Sequence, residues 1–590
     1  MSSPADIPRP EYPRPQFERA EWLNLNGVWS YTFDHGNSGI ERKLNESRGF
    51  DQNILVPFCP ESPLSGVGYT DFITCIFYHR RLAVPESWRG KRVMLNFGAV
   101  DYLCEVFIDG AKVEGTHHGG SSSFSFDITT LAAPGGEYDL VVRAFDDLRS
   151  GVQAAGKQSM RHGSFGCFYT RVTGIWQTVW LEAVAPQGLK SCHIVPDFDN
   201  SAFHFTPEFY SAEPGVELKI TVFADGKSIA CASGAAAAMA AYTLPLTDAR
   251  PWSTEDPFLY DIVFEVIKNG EVIDRVSSYA GLRKIHIEGK RIFLNNKEIY
   301  QRLVLDQGFY PDGIWTAPSD AALKRDIELA MQAGFNGARL HQKVFEERFH
   351  YWADKLGYLT WAESASWGVH CLSMGEPASL KFWRGAFNFL AEWREIVLRD
   401  RNHPSIITWT PTNETWISIE RDNTGYRQLM TELYDLTKSL DATRPINDAS
   451  GYHHVKTDLW TVHYYLMSAD AVRERLLPPD SEVAYTTRAE EVPYSGQPYL
   501  IDEWGGFAYI PPHLRTEETD AWGYGGAIAS EEEYLRLIEE QADLFIELDL
   551  AGYCYTQLTD VEQEQNGVYR YDRTPKNDIA RLRRIFTKTK

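Results

Sequence analysis

Positive charge is what this chain has least of relative to its opposite: 58 Lys and Arg stand against 81 Asp and Glu, a formal charge of −23. A chain so short of basic residues lacks the face that nucleic acid requires, so no nucleic-acid partner is expected. Cysteine is also sparse, with 8 in 590 residues. Cys59, Cys75, Cys104, Cys167, Cys192, Cys231, Cys371 and Cys554 form neither a CxxC pair nor a His/Cys ligand spacing, which argues for buried thiols in a reducing cytoplasm rather than disulfides or a metal site. The N-terminal stretch MSSPADIPRP has no apolar core of signal-peptide length, and no uninterrupted apolar run could span a bilayer, so no membrane partner is expected. A Gly-rich nucleotide loop is missing as well. The chain is therefore expected to need no cofactor and no metal.

Aromatic residues are plentiful: 17 Trp, 30 Tyr and 31 Phe suit both large β-sheet cores and stacking on sugars. The length is too great for one hydrophobic core and points to several domains. The first fifteen or so residues are proline-rich and read as an extended arm, and arm exchange in a homo-oligomer is the assembly such a segment would serve. From Trp22 to about Val184 the runs are short and alternating, as in Cys104–Ile108 followed by Asp109-Gly110, which predicts a jelly-roll β-sandwich over residues 1–185. Residues 186–283 hold about seven more short strands with turns at Asp225-Gly226 and Asn269-Gly270, the pattern of an immunoglobulin-like sandwich. The alanine-rich run from Ala235 to Ala241 reads as a loop or a distorted strand.

Residues 284–590 change character, because strands now alternate with amphipathic helices. Eight strand-like runs are predicted: Ile299–Leu305, Phe335–Leu340, Tyr358–Glu363, Ile406–Glu414, Arg444–Asp448, Leu459–Tyr465, Tyr499–Glu503 and Ala551–Leu558. Between them, Ser319 can cap a helix with one face made by Leu323, Ile327, Ala330 and Met331 and an end at Gly334. Similar faces recur at Phe345 to Leu356, Tyr426 to Leu440 and Leu535 to Phe545. This is the alternation of a (β/α)8 barrel, which places its chemistry at the C-terminal ends of the strands. Two strands end in a way no core has use for: Asn413-Glu414 closes the fourth, and Asp502-Glu503-Trp504 closes the seventh. Two strand-terminal carboxylates facing one mouth are what glycoside hydrolysis requires, although each alone could be an ordinary strand-end ion pair.

The Asn-Glu pair, the second glutamate, and the N-terminal phrases Leu25–Trp29, Tyr78–Arg81, Val106–Gly110 and Gly174–Leu181 together resemble glycoside hydrolase family 2, and the likeness runs along nearly the whole chain. The family includes β-galactosidases, β-glucuronidases and β-mannosidases. The resemblance implies a carbohydrate substrate, with Glu414 as acid/base and Glu503 as nucleophile of a retaining exo-glycosidase, the two carboxyls standing roughly 5 Å apart. The acid must hold a proton near neutral pH, and an ionised Glu503 with the apolar Trp409 and Trp416 would supply such surroundings. Asn413 is placed to bond the sugar 2-hydroxyl, Tyr464 or its neighbour Tyr465 to bond the nucleophile, and Arg339 to support the nucleophile side. His341 departs from the family's spacing by one residue and is a sugar ligand or a structural hydrogen-bonder. Asp306 and Glu363 are rim carboxylates that could hold sugar hydroxyls, and Trp367, Trp504 and Trp522 could form an apolar wall.

The glycone stays open at this level. The stretch Glu562–Tyr569 stands where glucuronidases carry an Asn-x-Lys element, and its glutamates should repel a uronate, although Arg570, Arg573 and Lys576 follow closely. The segment Leu303–Gly313 lacks the histidine-rich pattern of familiar β-galactosidases, which argues against ordinary lactose hydrolysis and makes room for β-galactofuranosides or α-L-arabinofuranosides beside β-galactoside-like, mannoside and glucuronide substrates. Rival readings are an inverting hydrolase, with carboxyls roughly 6.5–9.5 Å apart, and a catalytically silent carbohydrate-binding protein.

Overall fold

The computed structural model describes residues 7–237, 239–373, 379–415, 422–512 and 522–589. It is multidomain: two β-sandwiches precede a (β/α)8 barrel. In the first sandwich a four-stranded antiparallel sheet (Trp22–Asn24, Val179–Val184, Arg92–Phe97, Phe124–Asp127) packs on a larger one built around Gly27–Phe33, Cys75–Ala83 and Glu137–Phe145. Their inward residues, Trp29, Ile76, Tyr78, Leu95, Val106, Val142 and Leu181 among them, form one core. The second sandwich has sheets of three and four strands. Two of its hairpins, at Asp225-Gly226 and Asn269-Gly270, have positive φ at each central residue, the type I′ geometry that Asp-Gly and Asn-Gly favour. The alanine-rich run lies between the strands Lys227–Ala235 and Tyr242–Pro245, with residue 238 outside the described residues.

The proline-rich arm lies on its own chain. Arg9 is buried and pairs with Glu346 of the barrel at 2.7 Å, its carbonyl accepts from Asn24 at 2.8 Å, and Tyr12 donates to Glu182 at 2.7 Å. Over the described part of the arm, from residue 7 on, these contacts are made within one chain.

A three-stranded ribbon, Ile285–Glu288, Arg291–Leu294 and Lys297–Glu298, closes the floor of the barrel. Its Ile285, Ile292 and Leu294 pack with the inward Leu303, Leu305, Trp361, Ile407, Leu459, Leu500 and Cys554. The barrel strands are Gln301–Asp306, Gly337–Leu340, Leu359–Glu363, Ile406–Thr410, Ala449–Ser450, Trp460–Tyr464, Tyr499–Gly505 and Gly552–Thr556. The fifth falls later than the expected Arg444–Asp448. Arg444 is drawn to Asp441 and the carbonyls of His403 and Ile406, and the Asp448 carboxylate binds His454 and the amides of Val455 and Lys456. Within the expected stretch, parallel pairing is limited to the single bridge Trp409–Ile446, and a ladder forms at Thr412–Asn413 beside Ala449–Ser450.

The helix Asp320–Ala333 starts at Ser319, whose hydroxyl accepts from the Ala322 amide, and stops at Gly334 with φ of 106°. The helices Glu347–Leu356, Thr424–Leu440 and Glu531–Glu547 bury the faces read from the sequence, and Leu380–Asp400 adds one that the pattern reading passed over. No disulfide joins any of the eight cysteines, and six of them are buried. Among the described residues no helix is long and apolar enough to cross a membrane.

Candidate functional site

The side chains at the barrel mouth are organised by Arg339, which ends the second strand and is fully buried. An arginine has five N–H donors in a rigid fork, and here all five are used. Nε donates to Glu363 at 2.6 Å; Nη1 to Glu503 at 2.8 Å and the Asp502 carbonyl at 3.1 Å; Nη2 to the Asn413 side-chain oxygen at 2.6 Å and to His341 Nδ1 at 2.8 Å. One guanidinium thus orients groups from the third, fourth and seventh strands. Because its Oδ1 accepts from Arg339, the Asn413 amide is fixed, and among the described residues its buried Nδ2 has no acceptor.

Glu503 accepts a second bond from the hydroxyl of Tyr465. His463 stands between the carboxylates: Nδ1 lies 2.8 Å from Glu414 Oε1 and 3.4 Å from Glu503 Oε2, while Nε2 faces Asp502 at 3.3 Å and Ser450 at 3.0 Å. One oxygen each of Glu414 and Glu503 and one His463 nitrogen all lie within 4.8 Å of one another. Burial works against charging His463, yet Glu503 and Asp502 push it up to about 9, so it holds its proton at neutral pH. Burial would likewise raise Glu503, but the charges of His463 and Arg339 bring it down to about 2. Glu414 sits in the left-handed region with φ of 48°, its amide held by the Ser450 carbonyl at 3.0 Å. Its side chain keeps 20% of its exposure, against 5% for Glu503.

Glu363 and His341 meet Arg339 and each other, at 3.0 Å, behind the two carboxylates. His341 is held well below its ordinary value, first by burial and then by Lys157 and Arg339, and so is neutral. Trp367 is at the rim, half-buried, its Nε1 donating to the Asn413 carbonyl at 3.2 Å and its ring packed on Phe168. Trp522 is half-buried, with its ring edge-on to Tyr524.

Four expectations are corrected. Tyr464 shares its face with Trp460 and Val462 and packs outward, whereas Tyr465 shares the inward face of Thr461 and His463 and reaches Glu503. Asp306 shares the outward face of Val304; it accepts from the Gly308 amide at 2.9 Å and is pushed to about 7 by burial and by Asp326 of the adjacent helix, away from the mouth. Trp504 also points outward, fully buried against Phe545, Tyr553 and Tyr555. Trp409 packs with Trp393 in the helical layer and donates to Asp441, so it is no wall for Glu414; Trp416 lies outside the described residues. Residues the sequence reading left out of the site are His463, Asp502 and Tyr524, whose ring stacks on Tyr465 at 3.4 Å, together with Lys157 and Tyr169 from the first sandwich. His463 was reachable from its parity with Tyr465, but nothing local marks Lys157.

The comparisons agree with this architecture. Residues 285–590 match the model described as "Glycosyl hydrolases family 2, TIM barrel domain", and residues 197–283 match "Glycosyl hydrolases family 2". Similar curated proteins include a β-glucuronidase of Paenibacillus borealis, 23% identical over 84% of this chain and 86% of that protein. A β-glucuronidase of Bacteroides fragilis is 26% identical over 72% of this chain and 60% of its own length. A β-galactosidase of Thermoanaerobacter pseudethanolicus is 24% identical, and the chain spans 55% of its length. The crystal structure of Ruminococcus gnavus β-glucuronidase superposes with a TM-score of 0.77 over 99% of both chains at 19% identity, a likeness of fold. With the family model covering the whole barrel, the chain belongs to glycoside hydrolase family 2 and is a glycoside hydrolase.

Proposed function

We propose that the protein is a retaining exo-glycosidase that releases a terminal sugar by double displacement, with Glu503 as nucleophile and Glu414 as acid/base. The observation that carries this is the approach of the two carboxylates, an oxygen of each lying within 4.8 Å of the other across His463. Retaining enzymes hold their carboxyls roughly 5–5.5 Å apart, and inverting ones leave room for a water between them. The environments divide the labour. Glu503, buried and depressed to about 2, is ionised and ready to attack the anomeric carbon. Glu414 is the more exposed group, placed to protonate the leaving oxygen and then to activate water. The unpartnered Nδ2 of Asn413 is a donor for the sugar 2-hydroxyl, a contact that strengthens in the transition state.

The reading favours a neutral glycone. Two of the cations that follow the glutamate-rich loop in sequence are engaged: Lys576 with Asp560 and the Gln565 carbonyl, Arg573 with Asp326 and the Phe309 carbonyl. A uronide is the second reading, supported by the printed activity of the Paenibacillus borealis and Bacteroides fragilis relatives. The test is a panel of nitrophenyl galactoside, galactofuranoside, arabinofuranoside, mannoside and glucuronide with wild type, Glu503→Gln and Glu414→Gln, followed by mass spectrometry after a 2-fluoro glycoside. Turnover of one sugar, lost in Glu503→Gln, with the fluorosugar attached to Glu503, is expected. Inverted product stereochemistry or a label elsewhere would sink the assignment.

A further inference from the structure

Lys157 belongs to the first sandwich, yet it stands at the barrel mouth. Its segment docks on the loop after the third barrel strand, where the Ala155 amide donates to the Trp367 carbonyl at 2.7 Å and the Gly156 amide to the Ala365 carbonyl at 3.0 Å. At Gly156 φ is +58°, and a Cβ there would meet the Gln342 carbonyl oxygen at 2.2 Å, so only glycine permits so close an approach. The ammonium then lies 5.9 Å from the Tyr169 ring centroid and 5.7 Å from that of Trp367. Lys157 is only 6% exposed, and among the described residues its ammonium has no hydrogen-bond acceptor and no carboxylate within 4.0 Å. The side chain is enclosed but the ammonium itself is not sealed off, so water or a ligand at the mouth can supply its partner.

Across the same tyrosine stands Glu564, 1% exposed. It accepts from the Tyr169 hydroxyl and from Asn566 Nδ2 at 3.0 Å, and each of its oxygens keeps a further lone pair. Burial raises its carboxyl above the ordinary value, the charge of Lys157 works against that rise and the charge of Glu503 adds to it. We propose that Lys157 and Glu564 clamp two neighbouring hydroxyls of a neutral terminal sugar, the lysine donating and the glutamate accepting, so that the sandwich takes part in choosing the glycone. This rests on the glycosidase reading above. A sugar carboxylate fits the pair less well. Glu564 and Glu503 oppose it, the Arg339 donors are used, and His463 is shared among carboxylates.

The test compares the full-length wild type with Lys157→Met and Glu564→Gln on the neutral sugar found by the panel, its monodeoxy analogues and the matching uronide. For wild type, kcat/KM is expected to fall roughly 10- to 100-fold at a monodeoxy position the clamp holds. Lys157→Met should lose about as much on the parent sugar, lose nothing more on that analogue, and keep or raise its thermal midpoint. Glu503 should still be labelled by the fluorosugar in this variant, only more slowly. An unlabelled wild type overturns the double-displacement reading itself and the clamp with it. Labelled enzymes in which Lys157→Met slows every analogue equally and lowers the midpoint overturn the clamp alone, since that pattern is a packing role. A wild type that prefers the uronide, with the preference lost in Lys157→Met, also overturns it, because the lysine would then be a carboxylate receptor.

Discussion

Replacing Tyr465 by phenylalanine isolates one hydrogen bond to the candidate nucleophile. Glu503 is held by Arg339 on one oxygen and by the Tyr465 hydroxyl on the other. The Tyr465 ring stacks on Tyr524 at 3.4 Å and 5°, so a phenylalanine keeps the packing and loses only the donor. A hydrogen bond to a charged group is worth about 1.5–3 kcal/mol. If that orienting bond is carried into the transition state, kcat/KM on an aryl glycoside falls about 10- to 150-fold. The control is Tyr464→Phe, one residue away on the outer face, where the ring packs with the helical layer under Arg475. It should stay within about threefold of wild type, because surface changes away from special features cost roughly 0.5 kcal/mol or less. Steady-state kinetics on the substrate found by the panel decides the matter. Equal losses in the two variants, or a Tyr465→Phe enzyme near wild type, would refute the assignment of inward and outward faces on the sixth strand.

Stability should depend on pH through His463 and Glu503. His463 is raised from 6.5 to about 9, so what it contributes is complete below about pH 6.5 and is lost as pH rises through about 9. Glu503 is lowered from 4.5 to about 2, so its share is complete above about pH 4.5 and is lost as pH falls through about 2. Both shifts come from one network and are counted once, on the order of 3 kcal/mol. Urea unfolding should show the alkaline slope between pH 6.5 and 9, and His463→Gln should flatten it. Trp504→Ala should lower stability by about 3–5 kcal/mol, since the ring is fully buried against Phe545, Tyr553 and Tyr555; a change in KM with an unaltered unfolding midpoint would contradict its outward placement. Gly156→Ala should move the sandwich loop off the barrel rim, because its Cβ meets backbone at 2.2 Å. Loss of kcat/KM accompanied by faster amide exchange around Ala155 and Trp367 is the expected signature.

Local signals carried most of the architecture. A strand run is legible because side chains alternate with period two and a helix because they repeat near 3.6, so four of the barrel helices, one with its caps at Ser319 and Gly334, and seven of the eight barrel strands could be read in outline. Asn413-Glu414 and Glu503 stood out because acids at the ends of apolar runs are costly to bury without purpose. What the chain alone left undecided was which way each rim side chain faces. Tyr464 and Tyr465, or Asp306 and Leu305, differ by one step, and one step in a strand exchanges the core for the helical layer. The fifth strand moved because Arg444 and Asp448 found partners distant in sequence or in the following turn. The sequence by itself thus determined the family and the fold class and singled out the two candidate glutamates, all written in nearby residues. Only the tertiary structure decided that one arginine spends five donors holding the site together and that a lysine from the first sandwich stands over it, since both depend on backbones hundreds of residues apart meeting at close range.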